Sequence, residues 1–274
     1  MKIFDFNIHL PKKIDIDNTK ETILDEQSSS FEDLKKSFEN YVMPNKEFLY
    51  GSNIMIFNEN LFKKDFSKTF FQYIYKNFKN TFFTTLVDFR DKHYLDYLEF
   101  AHSKGVKGLK FHSYVQNISN NDIDNIIKLC KKAEQLHMFI AIDTSYGTLD
   151  LYTNDNLKLA AHIANNIKKT PIVLLHSGGA RVFEAMLIAS AQNNIFLETS
   201  FSIEYYKQSS IEKDFAFAYK KLSSKKIIYG SDAPYIDLRY SIDSTLEYLQ
   251  KNNFSAQNIE DIMGLNAINI LDNL

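Results

Sequence analysis

The stretch that decides the fold runs from Gly105 to Ser145: GVKGLKFHSYVQNISNNDIDNIIKLCKKAEQLHMFIAIDTS. It opens with a β-type run at 106–112, where Lys110 and His112 alternate with Leu109 and Phe111. It closes with a second at 138–144, an apolar run ending in Asp143. Between them, residues 121–137 place apolar side chains at helical spacing, and Asn121 or Asp122 suits the N-cap. Strand, helix and strand in that order make a parallel pair with a crossover helix.

The same alternation extends in both directions. Strand-like runs lie at 2–10, 51–57, 81–88, 106–112, 138–144, 171–177, 195–200 and 226–232. Helical patterns lie at 60–79, 92–104, 121–137, 155–169, 181–193, 203–223, 237–252 and 258–273. Eight such units in 274 residues fit one closed (β/α)8 TIM barrel better than an open sheet, and no domain boundary is visible. Residues 11–49 break the pattern. They are polar and follow the first strand, so they are either a lid over the barrel mouth or a plain surface excursion.

Composition narrows the function. Hydrophobic residues are 45% and charged residues 24%, with a net charge of -2, which gives no basic surface for nucleic acid or anionic lipid. No apolar run is long enough to span a bilayer, and Asp5, Asn7 and His9 interrupt what would be the apolar core of a secretory leader. The single cysteine, Cys130, falls on an apolar helical stripe and reads as packing. The expectation is a cytoplasmic protein that acts on a small molecule, with its oligomeric state open.

Active-site groups of a barrel gather where its strands end. Strand one, "IFDFNIHL", puts Asp5, Asn7 and His9 on one face, with Phe4, Phe6, Ile8 and Leu10 on the other. Strand four ends in Lys110 and His112; a buried lysine there is either ion-paired or functional. Asp143 ends strand five as a ligand, a base or the cap of the next helix. His176 ends strand six before Gly178 and Gly179, strand seven offers Glu198 and Ser200, and Asp232 ends strand eight as a functional group or an N-cap. Histidine and carboxylate together are the ligand types for Zn²⁺, Mn²⁺ or Fe²⁺. His93, His102, His137 and His162 fall in helices or loops and read as surface or packing residues.

In order, the segments "DFNIH", "GLKFH", "HSGG", "LETS", "GSDAP" and "IMGLNAINIL" resemble the amidohydrolase superfamily, nearest to its aminocarboxymuconate-semialdehyde decarboxylase-like branch. The resemblance implies a TIM barrel that binds one divalent metal, Zn or Mn, and hydrolyses an amide, ester or lactone bond or carries out a related decarboxylation. It implies a metal set of His9, Asp143, His176 and Asp232, with Asp232 as general base. Lys110 and His112 would steady a substrate oxyanion, and Asn7 and Arg181 would bind substrate. The chain departs from the family pattern twice: Asn7 stands where the first strand's leading histidine belongs, and Asp143 where the fifth strand has histidine. Metal-free hydrolysis through Asp232, a Schiff-base lyase using Lys110, and a barrel kept only for binding are the alternatives.

Overall fold

The computed structural model describes residues 1–14, 26, 28–59, 61, 67–145 and 153–274. The eight expected strands are all present: β1 (Phe4–His9), β2 (Gly51–Ile56), β3 (Thr81–Thr85), β4 (Gly108–Phe111), β5 (Phe139–Asp143), β6 (Ile172–Leu175), β7 (Ile195–Glu198) and β8 (Ile227–Ile228). They pair in parallel in chain order. The ring closes where residues 229–233 run beside β1. Phe6 N–H donates to the Tyr229 carbonyl, Asp232 N–H to Asn7 and His9 N–H to Ala233, at 2.7–3.1 Å. This is the (β/α)8 barrel that the alternation implied.

The helices between strands are α1 (Phe31–Ser37), α2 (Ser67–Asn77), α3 (Tyr94–Ser103), α4 (Ile123–Gln135), α5 (Asn156–Asn166), α6 (Val182–Ser190), α7 (Ser202–Tyr205) and α8 (Ile211–Leu222). After β8 come α9 (Leu238–Lys251), α10 (Ala256–Glu260) and α11 (Asn266–Asp272). Their apolar stripes pack on the outward residues of the strands: Ile54, Leu109, Phe111, Ile140, Ile142, Leu174 and Ile227 all belong to that outer core. The inward residues form a second core of Phe4, Phe6, Met55, Phe139, Ala141, Val173, Leu175 and Ile228, plugged from below by α11. Cys130 is buried in the outer core, as expected.

Three expectations change. Strand β1 does not alternate regularly. Its register against β2 slips between Asp5 and Ile8, a β-bulge that adds one residue. Phe4 and Phe6 therefore point into the barrel, where Phe6 meets the Phe139 ring of β5 at 4.9 Å, while Ile8 and Leu10 face the helices. The helix expected at 203–223 is two pieces, separated by a turn at 206–210. The 11–49 excursion is partly regular: α1 continues as a π-turn over Phe38–Val42 and a 3₁₀ turn over Met43–Phe48. Residues 15–25 and 27 of it, and the start of the 60–79 helix at 60 and 62–66, lie outside the described residues.

Candidate active site

The bulge has a chemical consequence. It lets β1 fill the barrel floor with Phe6 and still present Asn7 and His9 to the mouth, both buried. Asn7 Nδ2 donates to Asp232 Oδ1 at 3.1 Å and to Ser200 Oγ at 2.9 Å. Turned end for end, the amide would set its oxygen against the Asp232 carboxylate, so the donating orientation is the favourable one. His9 Nε2 faces the same Asp232 oxygen at 3.4 Å.

Across the barrel, Asp143 gathers two histidines. Its Oδ2 lies 3.1 Å from His176 Nε2 and 3.4 Å from His112 Nε2, and its Oδ1 accepts the N–H and hydroxyl of Ser145 at 3.1 and 2.6 Å. Among the described residues Asp143 caps no helix; α5 is capped by Asp155. Nor does Asp232, since Asp237 caps α9. The other ring nitrogen of His176, Nδ1, lies 3.1 Å from the Ser200 carbonyl. With acceptors at both nitrogens, His176 is an imidazolium. Burial opposes that charge, but the Asp143 carboxylate outweighs it and lifts the His176 pKa to about 9. Burial likewise raises Asp143, yet the flanking imidazoles hold it well below the ordinary carboxylate range. His112, desolvated and with a buried Nδ1 that has no partner among the described residues, is pushed down to about 3 and stays neutral.

Lys110 is buried with its ammonium 4.5 Å from the centre of the Phe57 ring. It forms no ion pair within 4 Å among the described residues and makes a cation–π contact instead, so of the two readings left open by the sequence the direct ion pair is not seen. Desolvation lowers its pKa, and the carboxylates of Asp143 and Asp232 work against that fall. Arg181 is engaged elsewhere: its guanidinium pairs with Asp155 at 3.1 Å and with Glu184. As a substrate anchor it would have to leave those partners.

Two further acids, one named from its strand end without a role and one not named at all, complete the cluster. Glu198, at the end of β7, is fully buried and accepts Ser200 N–H at 2.6 Å, Ser200 Oγ–H at 2.7 Å and His176 N–H at 3.2 Å. It fits only because position 230 is glycine; a Cβ there would lie 2.1 Å from its Oε1. Glu26 comes from the excursion after β1. It is completely buried, with Oε2 3.6 Å from His9 Nδ1. Strand position gave a signal for Glu198. Nothing local marked Glu26, one acid in a polar segment.

The amidohydrolase resemblance implies a divalent metal, and the donor geometry tests that implication. A metal-binding histidine turns a nitrogen lone pair to the ion, and its carboxylate partners turn oxygens to the same point. Here both nitrogens of His176 and both of His9 face acceptors, and the Asp232 oxygen nearest His9 receives an amide N–H as well. Among the described residues, no three His, Cys, Asp or Glu are grouped as a metal ion needs. His9 lies against Asp232 and His176 against Asp143, so the residues expected to be ligands stand as two charge-neutralising pairs, and that arrangement does not fit the ion.

Sequence comparison with curated proteins finds no match. Among solved structures, an uncharacterised TIM-barrel protein from Bordetella bronchiseptica aligns over 100% of this chain and 99% of its own, with TM-score 0.70 and 14% identity. A probable 2-pyrone-4,6-dicarboxylic acid hydrolase from Acinetobacter baumannii aligns over 99% and 100%, with TM-score 0.65 and 12% identity. A protein from Pseudomonas putida, described as a 2-pyrone-4,6-dicarboxylic acid hydrolase, aligns over 99% and 97%, with TM-score 0.63 and 14% identity. At these identities the likeness establishes the fold, and it does not single out the decarboxylase-like branch. The family model described as amidohydrolase matches residues 81–272, the greater part of the chain and five of the segments that carried the resemblance, and this chain belongs to that family.

Proposed function

We propose that the protein hydrolyses an amide, ester or lactone bond of a small molecule, with Asp232 as general base and with the chain's own residues doing the chemistry. The observation that carries this reading is how Asp232 is held. Asn7 and His9 both address its Oδ1, which fixes the carboxylate and leaves Oδ2 for a water. Asp232 is also the more open of the paired acids, its side chain 14% exposed against 4% for Asp143. Burial raises its pKa, but the His9 contact and the nearby cations bring it below the usual carboxylate value, so it is ionised at neutral pH.

Asp232 takes a proton from the water as the oxygen attacks the acyl carbon. The carbonyl electron pair becomes an oxyanion, which Lys110 is placed to neutralise. The tetrahedral carbon then expels the amine or alkoxide, and the proton on Asp232 passes to that leaving group. Lys110 suits the role because its ammonium lies over the Phe57 ring and, among the described residues, no carboxylate is bound to it directly. Neutral His112 sets Nε2 3.4 Å from Asp143, and its Nδ1, without a partner among the described residues, is left to accept from a substrate hydroxyl or amide.

A panel of lactones, aryl esters and cyclic amides tests this, with 2-pyrone-4,6-dicarboxylate first because two structural neighbours carry that name. Activity should survive exhaustive chelation and fall at least about a hundredfold in Asp232→Asn with the melting temperature kept. One bound metal per chain, with activity lost on chelation and restored by Zn²⁺ or Mn²⁺, would return the family's metal chemistry. Release of CO₂ from a carboxylated substrate would instead mark a decarboxylase.

A further inference from the structure

Glu26 is a buried acid that the mechanism does not use. It is fully buried, yet it comes from the excursion after β1 and not from a barrel strand. Its Oε1 accepts Leu10 N–H at 3.4 Å, which ties it to the backbone next to His9. Its Oε2 and His9 Nδ1 face each other at 3.6 Å, just beyond hydrogen-bond distance, and neither has a hydrogen-bond partner among the described residues. Leaving both unpaired in the interior would carry a large desolvation penalty. The His9 ring is also fixed from its sides, packing on Phe57 at 4.7 Å and on Tyr235 at 5.4 Å between centroids.

We propose that Glu26 is a positioning residue: it holds His9 by Nδ1–H so that Nε2–H stays aimed at Asp232 Oδ1, making a Glu26–His9–Asp232 line that fixes the general base. The proposal rests on the hydrolytic reading for its kinetic consequence, but the line itself is a claim about ring orientation. It gives the excursion a part in the site, because a buried acid from it orients the residue that orients Asp232. Without the Glu26 carboxylate, His9 has no reason to keep a proton on Nδ1. A neutral ring can then turn its lone pair on Asp232 and repel it.

Two measurements decide it. In protein labelled with ¹⁵N-histidine, at one fixed pH near neutrality, the His9 ring should show a hydrogen-bonded, downfield Nδ1 proton, assigned by its absence in His9→Gln. Glu26→Gln should remove that proton, and Glu26→Asp should retain it in part. A wild-type spectrum with no Nδ1 proton, or one unchanged in Glu26→Gln, overturns the proposal even if the variant is poorly folded, since the wild-type spectrum stands alone. On whichever ester or lactone of the panel turns over, Glu26→Gln should lower kcat about tenfold or more with KM within about twofold, and Glu26→Asp should recover part of the loss. Equal kcat in Glu26→Gln and wild type would also overturn it. If the wild type hydrolyses nothing, the hydrolytic reading fails while the ring spectrum still decides where His9 is held.

Discussion

At the scale of single residues, the site is a balance of charges in which small side chains matter as much as the ionisable ones. Gly230 is the clearest case. Any Cβ there meets Glu198 Oε1 at 2.1 Å and Asn7 Cβ at 3.0 Å, so Gly230→Ala must displace either the carboxylate that holds Ser200 or the amide that holds Asp232. We expect a loss of about 1–3 kcal/mol in stability, read from denaturant unfolding, together with lower activity. The glycine was visible in "GSDAP", but its reason was not, because Glu198 approaches it from a neighbouring strand. Strand-end position was enough to name Asn7, His9, Lys110, His112, Asp143, His176 and Asp232. It could not say that they would pair with each other, since pairing is decided by distances between strands far apart in sequence. Glu26 was out of reach for the same reason, and Arg181 was named for its charge although Glu184 stands one helical turn away on the same face.

At the scale of elements, Arg90 governs how firmly β4 presents His112. From the loop after β3, its guanidinium binds Asp122 through two nitrogens at 3.0 and 2.7 Å. It also donates to the carbonyls of Gln116 and Asn117 at 2.9 and 2.8 Å. Gln116 in turn accepts His112 N–H at 3.1 Å and donates to the Val87 carbonyl. The loop from His112 to Asp122 is thus clasped at both ends. Arg90→Ala should speed amide exchange across residues 113–118 in hydrogen-exchange mass spectrometry while costing only about 1 kcal/mol overall, since Arg90 is half exposed. Arg90→Lys should restore little, because an ammonium cannot span the two oxygens of Asp122. Most elements were legible because strand and helix periods differ so plainly in segments such as 106–143. Strand β1 was read as regular because a bulge leaves no mark in an alternating sequence, and its one-residue slip moved Phe4 and Phe6 from the helix side to the interior.

For the whole molecule, the buried charge pairs set a pH window. His176 has a folded pKa of about 9 against an ordinary value of 6.5. A group raised in this way binds its proton more tightly in the folded state, so its contribution is complete below about pH 6.5 and drains away as pH rises through about 9. His112 runs the opposite way. Lowered to about 3, it costs stability as pH falls below 6.5, because the unfolded chain then takes up a proton that the folded one refuses. Urea midpoints should therefore decline from pH 7 to pH 9.5, and His176→Asn should flatten that alkaline limb. A decline of equal steepness in the variant would contradict the assignment. The ring closure described above also bears on how the chain is made. Strand β8 is only two residues long, and the bond between Asn7 and Asp232 spans 225 positions of sequence. During synthesis from the N-terminus, β1 must wait through almost the entire chain before its second neighbour emerges, with the inward rings of Phe4 and Phe6 unclosed on that side. Such long-range pairing is slow and leaves an open strand edge in the meantime. The seam that builds the reacting centre is thus the last part of the barrel to be assembled and the point at which a growing chain is most exposed to misassembly with another.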